Sequence, residues 1–194
     1  MRSFDPKGQV IKNDAGITLD RAFLAHMSWS TTQAVAASDT GVHAAVALTA
    51  EAQAVTTVIT NPVVPRSIRI KGNAAGIAGN VVITGTNYVD SAITETIALN
   101  GATAVEGTKA FKTVTQIDLP IETHVGTDTV SVGWGDKLGL PCKLAHNTVL
   151  AAYHDNTKEA TAATVAVSAT VLESNTVDLN TALNGKAVDV YLMV

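Results

Sequence analysis

The residues Ser67-Ile68-Arg69-Ile70-Lys71 alternate polar with apolar, and the same period of two recurs in Val42, Ala44, Val46 and Leu48, in Ile93-Thr94-Glu95-Thr96-Ile97, and in Thr129-Val130-Ser131-Val132-Gly133-Trp134. A period of two sends successive side chains to opposite faces of an extended strand, whereas an amphipathic helix repeats its apolar face every three or four residues. The alternating runs are bounded by turn formers: Asn61-Pro62, then Pro65, then the glycines at 72, 76 and 79 with Asn73 and Asn80, and Asn100-Gly101. Strands are therefore expected over residues 55–60, 67–71, 81–84, 93–99, 129–134, 148–154, 163–172 and 186–194. Residues 103–109 lead into a further run over 110–119, which Pro120 stops. Asn100-Gly101 is the sharpest hairpin signal in the chain, and residues 135–141 read as a long turn-rich loop. Eight or nine short strands imply an all-β fold, a single β-sandwich or jelly-roll-like domain over residues 31–194.

Residues 1–30 carry no such period. Pro6, Gly8, Asn13, Asp14 and Gly16 interrupt them, and only residues 19–27 could form a short helix, so the segment is expected to be an extended N-terminal arm. It holds little from which to build a core and is expected to be ordered by lying on a neighbouring subunit. Its aromatic residues Phe4, Phe23 and Trp29 are the candidates for inter-subunit contact. Residues 42–48 read as a strand entering the domain, with a helix left open at 49–54.

Composition narrows the function classes. Hydrophobic residues make up 46% of the chain but aromatics only 4% and charged residues 15%, so the apolar content is aliphatic, as strands and tight turns require. A net charge of −4 supplies no electrostatic footprint for nucleic acid or an anionic membrane. No run approaches the ~20 apolar residues of a membrane-spanning helix, and Met1 to Gly8 lack the apolar region of a secretory signal. A soluble chain made in a cytoplasm is expected. The single cysteine, Cys142, excludes an internal disulfide.

The residues that could carry chemistry form no recognisable set. The glycines at 72, 76 and 79 match neither phosphate-loop spacing and precede β-branched sequence, so a turn is the better reading. Of the histidines at 26, 43, 124, 146 and 154, the last two would share a strand face roughly 26 Å apart, too far for one metal. His124 and Asp128 flank a Gly-containing turn and are expected to face solvent. Cys142 beside Lys143 could have a lowered thiol pKa if exposed, but a small buried hydrophobe is the better expectation. Glu95, Glu106, Asp118 and Glu122 are scattered among strand ends, and Asp136 and Asp155 lack calcium-loop spacing. Glu95 shares a face with Ile93 and Ile97 and must sit at a sheet rim or find a partner. Trp134 falls in phase with Val130 and Val132 and is expected in the core, whereas Trp29 has less core to join. No catalytic residue, cofactor or metal is expected.

Three stretches in succession carry a resemblance: Thr84-Gly85-Thr86-Asn87 after Val81-Val82-Ile83, then Glu95-Thr96-Ile97-Ala98-Leu99-Asn100-Gly101, then Gly107-Thr108-Lys109-Ala110-Phe111-Lys112-Thr113-Val114. This region, about residues 65–120 and more loosely 135–141, resembles virion structural proteins of tailed bacteriophages. The resemblance implies a particle component and no catalytic residues. A capsid decoration or cement protein fits best, located on the capsid surface, with the major capsid protein and copies of itself as partners. A homo-oligomer is implied, a trimer being one form. A tail, head-tail connector or fibre subunit is the alternative. A carbohydrate-binding β-sandwich module is a reading of another class and would need exposed aromatics such as Tyr88 and Tyr153 on one sheet face. An enzyme would need a polar pocket that the sequence does not connect.

Overall fold

A computed structural model describes residues 11–12, 15, 18–19, 22–124 and 126–194. In chain order the strands are β1 (Ile11–Lys12), β2 (Thr18–Leu19), β3 (Leu24–Trp29), β4 (Ser38–Ala47), β5 (Gln53–Val55), β6 (Arg66–Gly72), β7 (Asn80–Thr86) and β8 (Ala92–Ala98). They continue as β9 (Val105–Phe111), β10 (Thr113–Leu119), β11 (Thr129–Gly139), β12 (Val149–His154), β13 (Thr157–Lys158), β14 (Thr164–Ala166), β15 (Thr176–Asp178) and β16 (Val188–Met193). A 3-10 turn, Leu172–Ser174, precedes β15. The fold is all-β and sandwich-like, with antiparallel pairing throughout the described sheets.

Two sheets pack face to face. One has the order β5-β10-β7-β8; the other runs β14-β15-β11-β6-β9, with β4 also paired to β11. The alternation read from the sequence supplies the contact: Val81, Ile83, Ile93, Ile97, Val114 and Ile117 from the first sheet meet Val42, Ile68, Ile70, Phe111, Val130 and Val132 from the second. Burying an aliphatic side chain of this size contributes roughly 1.5–3 kcal/mol, so this layer is what drives the sandwich to close.

A third sheet, β13-β12-β16-β3, brings the last strand of the chain beside β3. Its inner face, Trp29, Ala152, Val188, Val190 and Leu192, forms a second core with Leu138, Leu140, Val177 and Leu179. Strand β11 serves both cores, because Val130 and Val132 belong to the first and Leu138 to the second. Between them its register against β6 jumps from Trp134↔Ile68 to Leu138↔Arg66. The intervening Gly135, Asp136 and Lys137 bulge out, and Arg66, only 1% exposed, donates from Nε to the Gly135 carbonyl at 2.8 Å and from Nη1 to the Val35 carbonyl at 3.0 Å. A second donor of the same guanidinium, Nη2, also reaches the Gly135 carbonyl. Turn-forming residues thus sit inside a long strand, and the loop expected at 135–141 is strand up to Gly139.

Other expectations are corrected for equally specific reasons. Residues 24–29, assigned to the arm and in part to a short helix, are strand β3, because Ala25, Met27 and Trp29 alternate onto the second core while β16 pairs with them in unbroken register. Trp29 is 4% exposed and helps build that core, contrary to the expectation that it lacked one to join. Phe4 lies outside the described residues. Asn100-Gly101 does not return β8 on itself: Gly101, at φ 56, donates its N–H to the Ile77 carbonyl, and the next strand, β9, joins the opposite sheet. Residues 55–60 leave the sheet after Val55, with Val58 at φ 57 and exposed. The expected strand over 163–172 is only β14 followed by the 3-10 turn, while β15 was not anticipated. Residues 49–54 contain no helix.

Candidate interaction face

The outer face of the terminal sheet follows from alternation. Val188, Val190 and Leu192 point inward on β16, so Asp189, Tyr191 and Met193 point outward. Directly across on β3 stand Ser28, His26 and Leu24, and on β12 Tyr153 opposes Asp189 while Ala151 opposes Tyr191. Residues opposite one another on one face come within contact distance, and long side chains also reach diagonally. The Tyr191 ring accordingly stacks on His26, centroids 4.5 Å apart and planes 5° from parallel. The Tyr153 ring meets Tyr191 diagonally at 5.8 Å and 79°. His26 Nε2 lies 2.7 Å from Asp189 Oδ1, which fixes the imidazole on the tyrosine.

Toward the end of the chain the same face becomes aliphatic. Leu24 opposes Met193, and the ladder continues past both strands because Phe23 and Val194 exchange backbone hydrogen bonds of 2.8 and 2.9 Å. On this face Leu24 is 61% exposed; Phe23 and Val194, one residue further along each strand and so on the other side by the same alternation, are 53% and 51% exposed beyond the core, and Leu150 is exposed where β12 bulges against β16. Elsewhere the outward side chains of a comparable strand, β8, are Ala92, Thr94, Thr96 and Ala98. Large apolar side chains gathered on one exposed face mark an interaction surface more often than chance exposure does. Phe23 lies exposed at the end of the sheet beside this face, and Trp29 is buried in the second core. His26, Tyr191 and Met193 complete the face; the alternation of residues 188–194 exposes the odd positions, but the pairing with β3, more than 160 residues away in sequence, has no local signal.

The other candidate groups are structural or isolated. At the junction of the two cores the Glu106 carboxylate accepts from Ser67 Oγ and, at 3.2 Å, from Lys137 N–H. Lys137 Nζ donates to the Gly107 carbonyl at 2.9 Å. Burial pulls Arg66 down to about 10, against the opposing pull of Asp136 and Glu106. Burial raises the Asp136 carboxyl, whose Oδ1 is 3.8 Å from Arg66, and raises Asp178, which also feels Glu106. Asp39 is lowered, first by its hydrogen bond from Lys71. Burial pushes the half-buried Cys142 thiol up, and Cys142 packs against the second core. Asp128, expected at the surface, is 2% exposed and bonded to His124 at 3.0 Å. Trp134 packs half-buried against the first core and donates to the Ala36 carbonyl. Tyr88 lies in the turn between β7 and β8, on a different sheet from Tyr153. No group of three or more metal-ligating side chains forms among the described residues, and no helix among them is long and apolar enough to cross a membrane.

Comparison with protein-family models, with curated proteins and with solved structures finds no match.

Proposed function

We propose that this chain is a structural subunit of a tailed-phage particle, of the kind that decorates or cements the capsid, and that it works through its surfaces. The observation that carries the reading is the end of the terminal sheet, where Leu24 and Met193 adjoin the Tyr191–His26 stack on the outer face and Phe23 and Val194 are exposed beside them. A cement protein needs a stable β body and an apolar contact surface held rigidly on it, and many copies then add modest contacts into a firm shell. The likeness of residues 65–120 to virion proteins supports the same reading. A sugar-binding face is less well supported, because one side of the Tyr191 ring is occupied by His26 and Tyr153 meets it by an edge, whereas a sugar platform requires free ring faces.

The test is the location and stoichiometry of the protein in purified particles by cryo-electron microscopy, with particles lacking it as control. Density on the outer capsid lattice, and reduced resistance of the lacking particles to heat or low salt, is the expected result. Density confined to the tail or portal vertex would transfer the role to a connector, tail or fibre subunit. No particle association would reject a virion role.

A further inference from the structure

The free edges of the described sheets are blunted with one exception. Edge strands present a row of unpaired amide and carbonyl groups, and proteins guard them with charge, proline, bulges, short length or a cover. Strands β1, β2, β5, β13 and β14 are two or three residues long. Strand β4 carries Asp39, its register against β11 shifts twice, and its Val42 carbonyl accepts from Thr60 N–H at 2.9 Å. The adjacent edges β8 and β9 are tied together: Glu95 of β8 accepts from Thr108 N–H at 2.6 Å and Lys109 N–H at 3.3 Å, and Lys109 Nζ of β9 donates to the Thr94 carbonyl at 2.9 Å. Among the described residues strand β3 has none of these devices. Leu24-Ala25-His26-Met27-Ser28-Trp29 contains no Asp, Glu, Lys, Arg, Pro or Gly, keeps unbroken register with β16 over six residues, and pairs with β16 alone among the described residues.

We infer that the edge of β3 is a docking site for the β3 edge of a second copy of this chain, joined antiparallel about a two-fold axis. Three features select that occupant. The strand carries no formal charge, so two copies meet without like-charge repulsion, and an antiparallel pair of identical strands is self-complementary. The alternation restricts the register: opposite residues must share a face, so the pair is centred on a residue, His26 or Met27, rather than between the two. With either centre the outer Leu24 and His26 face outer residues of the partner, and the inner Ala25 and Met27 face inner ones. The size of the contact sets its strength. A six-residue edge spans about 20 Å, and even with Phe23 and Leu24 from each copy it falls short of the ~800 Å² per partner of a standard stable interface. A weak, reversible dimer is expected, with a Kd on the order of 100 µM as the working value.

Sedimentation velocity on the full purified chain, from well below to well above that concentration, reads the association. The pairing is read on purified protein and the particle location on virions, so either can fail without the other. Leu24→Lys, at an exposed position, is expected to weaken the dimer at least tenfold with an unchanged circular dichroism spectrum. In a Cys142→Ser background, Met27→Cys or His26→Cys is expected to form a disulfide with its own symmetry mate under mild oxidation, and Leu150→Cys is not. A chain that stays monomeric at every concentration overturns the inference. So does a closed trimer, or a dimer that is indifferent to Leu24→Lys and cross-links at neither position 26 nor position 27.

Discussion

Strands β8 and β9 of the two facing sheets and β3 of the third are all edges of six or seven residues, yet they end in opposite ways. At the β8/β9 corner the two facing sheets are joined by side chains where no strand pairing exists. Glu95 is only 8% exposed, and its carboxylate is repaid for lost hydration by Thr108 N–H, Thr108 Oγ1 and Lys109 N–H. Gly107 makes room for it, since a Cβ there would strike the carboxylate. At β3 the side chains are apolar or neutral and, among the described residues, the backbone pairs on one side only. Placing a carboxylate in a sheet interior is costly unless its acceptors are filled, so the corner is a device for closing an edge. No such device is present at β3 among the described residues, next to the apolar outer face, and this is the edge for which self-pairing is proposed.

The contrast has two supports that can be removed separately. Trp29 anchors the last residue of β3 in the second core, so Trp29→Ala is expected to cost about 3–5 kcal/mol in urea unfolding, the largest effect of the set. A loss under about 1 kcal/mol would mean that β3 is not held by that core, and the open edge would then be a loosely attached strand. Glu95→Ala is expected to cost about 2–3 kcal/mol, because two backbone donors lose their acceptor inside a closed corner. It should also turn β9 into a second exposed edge, seen as aggregation at high concentration. Glu95→Gln, which keeps one acceptor oxygen, should fall between that variant and the parent. Equal stability of all three chains would show that solvent already serves those amides.

Much of this contrast was legible in the sequence and part of it was not. Alternation placed Ile68, Ile70, Ile93, Ile97, Val130 and Val132 on buried faces, and they are the first core. Glu95 stood out as a carboxylate in phase with isoleucines, but the identity of its partner depended on β9 lying beside β8, which sequence spacing does not encode. Two misreadings share a cause. Gly135, Asp136 and Lys137 carry a turn signal, and the fold uses them as a bulge because the distant Arg66 supplies the donors that the interrupted ladder lacks. Among residues 24–29 only Trp29 is a strong strand former, and pairing with β16 at the far end of the sequence overrides that weak local preference. Long-range pairing is also why Trp29 appeared to have no core and why Tyr191 did not enter the candidate face.

The smallest expected effect concerns the junction that both halves share. Asp178 of β15 and Asp136 of β11 have raised carboxyl pKa values, first through burial, and Asp178 also through Glu106 and Asp136, with Lys137 opposing. A raised folded pKa means the folded state holds the proton more tightly than the unfolded chain does. The resulting stability is fully present below the ordinary carboxylate value of about 3.9 and is lost as pH rises through the raised value. Asp39 has the opposite sign: its lowered pKa gives stability present above the ordinary value and lost as pH falls through the lowered one. Asp178→Asn removes only the first kind of contribution. It should raise stability at pH 7 by on the order of 0.5 kcal/mol, a small figure because the site is partly solvated and screened, and the gain should vanish in acid, where the parent carboxyl is already protonated. Urea midpoints of the two chains across this pH range measure the difference. A variant that is less stable at pH 7 would mean that the attraction of Lys137 outweighs burial, and the junction would then be held together by charge in the manner of the β8/β9 corner.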